Sequence, residues 1–302
     1  MERWIKGAFA LLLFIVLPTL AARYQYFPDS YVVGSIQVVK VQKGDTLTKI
    51  ARRYDVAPTK MIEANPKARD QYLQIGQMVI VPSRFVLPSY HEGIVINLAE
   101  LRLYYFPAHT NIVYTYPIAV GRVGWRTPTT VTSVYKKEKD PVWRVPKSIW
   151  QYTYRTKGIK LPAVVGPGPD NPLGPYALYL KLSGYLIHGT NDPDSIGKYV
   201  SSGCIRLYPA DITQLYSLVD IGTVVHIIHH ANKADWHHDE LYLESHRSME
   251  EMNNKTELNH QPAEEAIQEA TANKKATVNW PQVNQAQKNK LGIPVTVGKA
   301  KS

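Results

Sequence analysis

From residue 92 to 230 the chain is broken into short runs of Val, Ile, Leu and Tyr, parted by turn signals. This pattern selects a mainly β fold, a sandwich or barrel-like sheet, because each run is long enough for a strand and too short for a helix. Runs 94–98 and 101–105 flank a two-residue turn, as in a hairpin. Further strands are predicted over 112–120, 130–135, 177–180, 185–187 and 223–228. One helix is predicted over 209–219, with Leu215 and Leu218 facing inward.

A smaller unit, 38–83, precedes this region. Val39-Lys40-Val41 alternates as a short strand. Gly44-Asp45-Thr46 makes a turn, and Asp45 or Thr46 caps the helix that starts there. Leu47, Ile50, Ala51 and Tyr54 recur at helical spacing. A second helical stretch, 59–64, stops at Asn65-Pro66, and 78–82 forms a closing strand. The order strand–helix–helix–strand, with Lys43-Gly44-Asp45-Thr46-Leu47, Asn65-Pro66, Gly76-Gln77, Ile80 and Pro82, resembles a LysM module. That resemblance implies a small α+β domain that binds N-acetylglucosamine-containing glycan strands of peptidoglycan.

The 302 residues fit two domains plus tails, and 44% hydrophobic residues suffice for a core. A net charge of +10 favours an anionic partner: nucleic acid, an acidic membrane or a carboxylate-bearing polymer. The N-terminus narrows that choice. Arg3 and Lys6 precede an apolar run over 7–20, followed by Ala21-Ala22. This is the layout of a secretory leader over 1–22, too short for a spanning helix. The chain is therefore expected in the periplasm, tethered to the inner membrane if the leader stays uncut, with no nucleic-acid partner. From 231 to 302, Asn, Gln, Glu, Lys and Ala dominate, which reads as a polar tail, helical or disordered. Trp280-Pro281 and 293–297 are its candidates for docking back on the main domain.

Cys204 is the single cysteine. In an exported chain a thiol without an internal partner is either an intermolecular bridge or a reactive group. It lies in Val200-Ser201-Ser202-Gly203-Cys204-Ile205-Arg206-Leu207, a small-residue turn that exposes the sulfur. The amides of Gly203 and Cys204 can point at an oxyanion. Arg206, two residues on, shares a face with Cys204 in a strand and favours its thiolate or binds a substrate carboxylate. Sixteen residues upstream a predicted strand ends in His188-Gly189-Thr190-Asn191. A histidine there supplies the base that activates the thiol, oriented by a main-chain carbonyl such as that of Gly189.

The stretch from His188 to Asn191, Ile196-Gly197, the run around Cys204, and Asp211-Ile212 with Leu215-Tyr216 resemble the active-site signature of the L,D-transpeptidases. Gly121, Thr127-Pro128 and 168–174 match as well. The likeness spans roughly 92–230 and is nearest to the exported subgroup with a LysM module in front. It implies that Cys204 is the nucleophile and His188 the proton carrier. Gly189, Gly203 and Arg206 support them, and Ser201, Ser202, Thr190 and Asn191 line the substrate site. The implied reaction forms a thioester between Cys204 and a tetrapeptide stem with release of D-alanine. Transfer follows to diaminopimelate, to a lysine of an outer-membrane lipoprotein, or to water. The alternatives are a carboxypeptidase or peptidoglycan hydrolase using the same site, and a glycan-binding wall protein without catalysis. Neither metal nor organic cofactor is implied. Two departures stand out. Ser202 replaces the histidine that many members carry before Gly-Cys, and Thr127-Pro128 runs into Thr129-Thr130-Val131 without a glycine.

The remaining candidates read as structural. His226 alternates with apolar residues, and His229-His230 and His237-His238 lack a chelating pattern. Tyr104-Tyr105, Trp143 and Trp150 read as packing, and Lys136-Lys137-Glu138-Lys139 as a solvated loop.

Overall fold

The computed structural model describes residues 22–68, 73–247 and 262–301. The leader reading of 1–22 lies, apart from Ala22, outside them. Strands β1 (Ala22–Gln25) and β2 (Val32–Gly34) lead into the first module. That module is β3 (Gln37–Lys40), α1 (Leu47–Arg53), α2 (Pro58–Ala64) and β4 (Met78–Val81), in the predicted order. Thr46 caps α1, its Oγ1 accepting from the Lys49 amide at 3.1 Å. Leu47, Ile50 and Ala51 then face Met61 of α2 and Val79 and Val81 of β4 in one core.

Asn65 locks this module. Its side-chain amide donates to the carbonyls of Met61 (2.8 Å) and Ile80 (2.7 Å), and its Oδ1 accepts from the Ile80 amide (2.8 Å). Asn65→Ala strands three main-chain partners, one buried and two part-buried. The expected cost is about 2–3 kcal/mol, read as lost hydrogen-exchange protection in β3 and β4 with the strands after residue 92 unchanged.

After β5 (Arg84–Val86), which pairs with β2, the second domain begins. Its strands are β6 (Gly93–Asn97), β7 (Arg102–Phe106), β8 (Ile112–Pro117), β9 (Val120–Gly121) and β10 (Thr130–Lys139). An excursion follows, β11 (Trp143–Arg144), α3 (Lys147–Lys157) and β12 (Val164–Val165). Then come β13 (Tyr176–Leu180), β14 (Leu186–His188), β15 (Tyr199–Ser201), β16 (Ile205–Arg206), α4 (Pro209–Leu218) and β17 (Val224–Ile228). Nine strands form one sheet in the order β1-β8-β7-β6-β17-β10-β13-β14-β16. Its long strand β10 pairs through its first half with β17 and through its second half with β13, across an irregularity between Val134 and Lys136. An irregularity of this kind bends a strand, so the sheet curls. The 136–139 run is therefore strand and not a solvated loop. Lys137 reaches over the Tyr216 ring of α4, so its charge is spent on the fold.

The curled sheet is apolar on both faces near β6 and β7. Ile94, Ile96 and Leu103 pack with Leu178, Ile187, Ile205, Ile212 and Leu215 on one side. Val95, Tyr104 and Phe106 pack with Phe85 and Leu87 on the other. Tyr104 and Tyr105 are thus core, and His226 is buried with its ring stacked 4.2 Å from that of Tyr90.

The reading of 231–302 as a polar helical or disordered tail is corrected. Its described part includes the helices α5 (Ala263–Thr271) and α6 (Trp280–Asn289). It also includes a four-stranded sheet of β18 (Asn232–His237), β19 (Glu240–Ser245), β20 (Ala276–Val278) and β21 (Val295–Ala300). Trp236, Leu241, Leu243, Ile267, Val283 and Val297 converge into a core of their own. The unit docks through Glu244, which accepts from the Val86 amide at 2.7 Å. Buried Lys233 spans Glu100 (2.9 Å) and Glu244 (3.2 Å). Trp280, a predicted docking residue, opens α6 and stays exposed, whereas 295–300 pair with β19. Among the described residues no helix is long and apolar enough to cross a membrane.

Candidate active site

Strand β14 ends in His188, and β16 starts one residue after Cys204. The two strands run parallel as neighbours, with Ile187 opposite Ile205 and His188 opposite Arg206. Cys204 lies two residues before Arg206, immediately ahead of β16, so the register sets its residue beside the end of β14. Ile187 and Ile205, pointing the other way, are buried in the core and set this register.

The imidazole is held by main chain. His188 Nδ1 sits 2.6 Å from the Gly189 carbonyl oxygen, and the Leu173 carbonyl also supports the ring. A carbonyl only accepts, so Nδ1 carries the proton and Nε2 is left with the lone pair. Burial, and next the nearby Arg206 charge, push the His188 pKa down to about 3. The side chain is therefore a neutral base across the physiological range. Gly189 has no room for a side chain, since a Cβ would meet Pro175 Cδ at 2.9 Å and Ile212 Cγ2 at 3.1 Å.

The Cys204 thiol is half-buried and reaches the Gly184 carbonyl at 3.5 Å. Burial raises its pKa above the ordinary thiol value, outweighing the Leu186 amide and the Arg206 charge, which both lower it. Arg206 thus favours the thiolate as expected, but burial outweighs it, and the thiol is harder to ionise than an ordinary one. Arg206 itself is mostly buried, and its Nε has no hydrogen-bond partner.

This sets a pH profile. A raised thiol pKa means that the reactive thiolate accumulates only on the alkaline side. Carbamidomethylation of Cys204 by iodoacetamide is expected to climb about tenfold per pH unit from 7 to 9, with no plateau near neutrality. Intact-mass kinetics checks this, and a flat rate from pH 5 to 8 would reveal a thiolate–imidazolium pair instead.

The cysteine turn is built by hydroxyls. Ser201 Oγ donates to the Cys204 carbonyl (2.5 Å) and accepts from the Gly203 amide (3.1 Å). The Gly203 N–H, expected to face an oxyanion, is thereby already engaged. Gly203 matters for its backbone instead: its φ is 111°, and a Cβ would lie 2.8 Å from the Tyr185 ring. Buried Thr127, 76 residues upstream, donates to the Gly203 carbonyl at 2.7 Å and accepts from the Gly121 amide at 3.0 Å. Because the peptide unit is planar and trans, fixing that carbonyl turns the Cys204 N–H the opposite way. Arg122 donates to the Val200 and Ser201 carbonyls and to Ser202 Oγ, at 3.1–3.3 Å. Thr127 and Arg122 are the residues that the sequence reading gives no role. The Gly121…Thr127-Pro128 stretch was the only local signal for them.

Of the predicted substrate contacts, Ser201 and Thr190 are buried, and their hydroxyls are spent on their own loops. Thr190 Oγ1 pairs with the Asp192 amide (2.9 Å) and carbonyl (3.2 Å). Asn191 is exposed and donates to the Asp170 carbonyl at 3.1 Å. Ser202 and Arg206 line a cleft of about 420 Å³ together with Arg122, Tyr152, Lys157 and Lys198. A second cleft of about 610 Å³ runs past Tyr179, Ser183, Gly184, Tyr185 and Leu186, and the Gly184 carbonyl in its lining is the one the Cys204 thiol reaches. Among the described residues, Glu100, Glu244 and His246 bring metal-type donors within 4.8 Å of one another. Lys233 already supplies the cation between those two carboxylates.

Residues 91–227 match the model of the L,D-transpeptidase catalytic domain, and residues 39–82 that of the LysM domain. The chain is 40% identical over 277 residues to the Escherichia coli K12 protein named "Probable L,D-transpeptidase YbiS", covering 88% of each. It is 44% identical over 215 residues to "Probable L,D-transpeptidase ErfK/SrfK" of Salmonella typhimurium LT2, covering 70% of this chain and 69% of that one. It is 42% identical over 235 residues to "Probable L,D-transpeptidase YcfS" of Escherichia coli K12, covering 75% and 73%. Sequence, fold and these matches converge: the chain belongs to the L,D-transpeptidase family and carries a LysM domain ahead of the catalytic one.

Proposed function

We propose that this L,D-transpeptidase works through a thioester on Cys204, with His188 moving the protons. The observation that carries the reading is the main-chain clamp on His188 Nδ1, which leaves Nε2 as a free base on the strand beside the thiol. The carbonyl on the L-centre of diaminopimelate in a tetrapeptide stem approaches Cys204. Nε2 takes the thiol proton as sulfur bonds to carbon. The Cys204 N–H, turned outward by the Thr127 contact, faces the developing oxyanion. As the C–N bond to D-alanine breaks, the imidazolium returns its proton to the leaving amine. A diaminopimelate amine of a second stem then attacks the thioester, loses its proton to His188 and restores the thiol.

The basic cleft around Arg122, Lys157, Lys198 and Arg206 suits the carboxylates of a stem peptide. The cleft past Gly184 and Tyr185 leaves a second approach to the same sulfur. The LysM module holds the glycan strand. The N-terminal leader carries the chain into the periplasm, and a lipoprotein lysine is a further acceptor of the same chemistry.

The test is intact-mass spectrometry with tetrapeptide muropeptides. An adduct on wild type that is missing from Cys204→Ala supports the thioester. Diaminopimelate peptide, lysine peptide or water alone then separates crosslinking, lipoprotein attachment and carboxypeptidase action. Equal adduct on both proteins sinks the assignment.

A further inference from the structure

The first residue of β1 touches the LysM module. The Ala22 main-chain nitrogen donates to Asp55 Oδ2 at 3.2 Å, across 33 positions of sequence. Asp55 follows α1 and is buried, and the LysM and catalytic domains meet around it. Nearby, Thr59 Oγ1 donates to the Gly197 carbonyl at 2.7 Å, and Arg52 lies over the Tyr208 ring.

Two carboxylates share this seam with two guanidinium groups, Arg102 and Arg52. Asp211 of α4 places a second buried carboxylate close enough to Asp55 for each to disfavour ionisation of the other, and Asp211 Oδ2 has no hydrogen-bond partner. The buried cation between the domains is Arg102, and its Nη2 donates to the Asp55 carbonyl (2.8 Å) while Nη1 serves Thr115 (3.0 Å). Tyr24, Tyr116 and Tyr208 face the same space, and Arg52 is the other basic group that reaches it. Burial pushes the Asp55 carboxyl up to about 7, so a full positive charge at its Oδ2 would favour the ionised form.

The sequence offers one. Relative to the Ala21–Ala22 bond, Thr19 and Ala21 are the small residues that a leader cleavage site needs, with Leu20 between them. A cut one bond later puts Leu20 in place of the small residue and removes the Ala22 nitrogen. We propose that the leader is cut between Ala21 and Ala22, and that the α-ammonium created at Ala22 forms a buried ion pair with Asp55 at the seam between LysM and catalytic domains. This rests on the export reading above. In the step, water adds its hydroxyl to the Ala21 carbonyl carbon under a leader-cleaving peptidase, the C–N bond breaks, and the Ala22 amine leaves and takes up protons. A neutral amide N–H becomes a full charge with spare donors, beside the buried carboxylate that it already contacts. The precursor cannot make this pair, so export processing completes the interdomain contact.

The experiment starts from the full chain expressed with its leader and recovered from the cell envelope. Top-down mass spectrometry is expected to find a free amine at Ala22. An N-terminus at Arg23 overturns the inference and leaves the export reading intact, whereas an uncut chain removes both. Reductive methylation against pH then reads the pairing. The α-amine of the mature protein is expected to react with a midpoint about one unit above the usual 7.7–8.0, and Asp55→Asn to return it to that range. Should Asp55→Asn fail to fold, a leaderless chain with two extra residues before Ala22 replaces it. That chain is expected to melt below the mature protein, and equal melting, like an unshifted midpoint, overturns the proposal.

Discussion

Cys204→Ser lowers transpeptidation by at least about a thousandfold. The free site holds a neutral base beside a neutral nucleophile, so the proton must move as the bond to carbon forms. A serine hydroxyl is a far weaker acid than a thiol, and a base with so low a pKa takes its proton poorly. The turn should survive, because Ser201, Thr127 and Arg122 hold it through main-chain and hydroxyl contacts that do not involve the sulfur. Turnover of a tetrapeptide and an acceptor peptide, followed by chromatography, checks the loss. Retention of wild-type rate in the serine protein contradicts a thioester on Cys204.

His188→Gln is expected to cut kcat/KM by about 10²- to 10⁴-fold while sparing the thiol itself. The glutamine amide can still donate to the Gly189 carbonyl, but it offers no lone pair able to take a proton. At pH 9, where hydroxide ionises the thiol, carbamidomethylation of Cys204 should proceed within about threefold of wild type. The pairing of lost turnover with kept alkylation separates loss of the base from collapse of the site. Parallel loss of both readouts would assign His188 to the fold alone.

Much of the catalytic frame is legible in local sequence. The cap at Thr46, the stop at Asn65-Pro66 and the alternation in 94–98 and 101–105 are short-range signals, and each marks an element in place. The neighbouring placement of the His188 and Cys204 segments is legible for a related reason. Each sits at the end of a strand whose apolar neighbours, Ile187 and Ile205, must enter one core. Where the local signal misleads, it does so through long-range partners. Lys136 to Lys139 look like solvated loop until β13 pairs with them and the Lys137 stem crosses Tyr216. The C-terminal quarter looks like tail because its apolar residues are thinly spread over six elements and meet only when those elements stack.

The sequence by itself determined the family, through the motifs around His188 and Cys204, and that a LysM module stands before the catalytic domain. Only the tertiary structure decided the electrostatic state of that pair and the disposal of its hydrogen bonds. Burial makes the thiol harder to ionise despite Arg206, and Ser201 takes the Gly203 amide. Thr127 orients the peptide of Cys204 from 76 residues away. The physical reason is that residue type and spacing are properties of neighbours along the chain. Desolvation and hydrogen-bond partnership depend on whatever the fold brings near, at any distance in sequence.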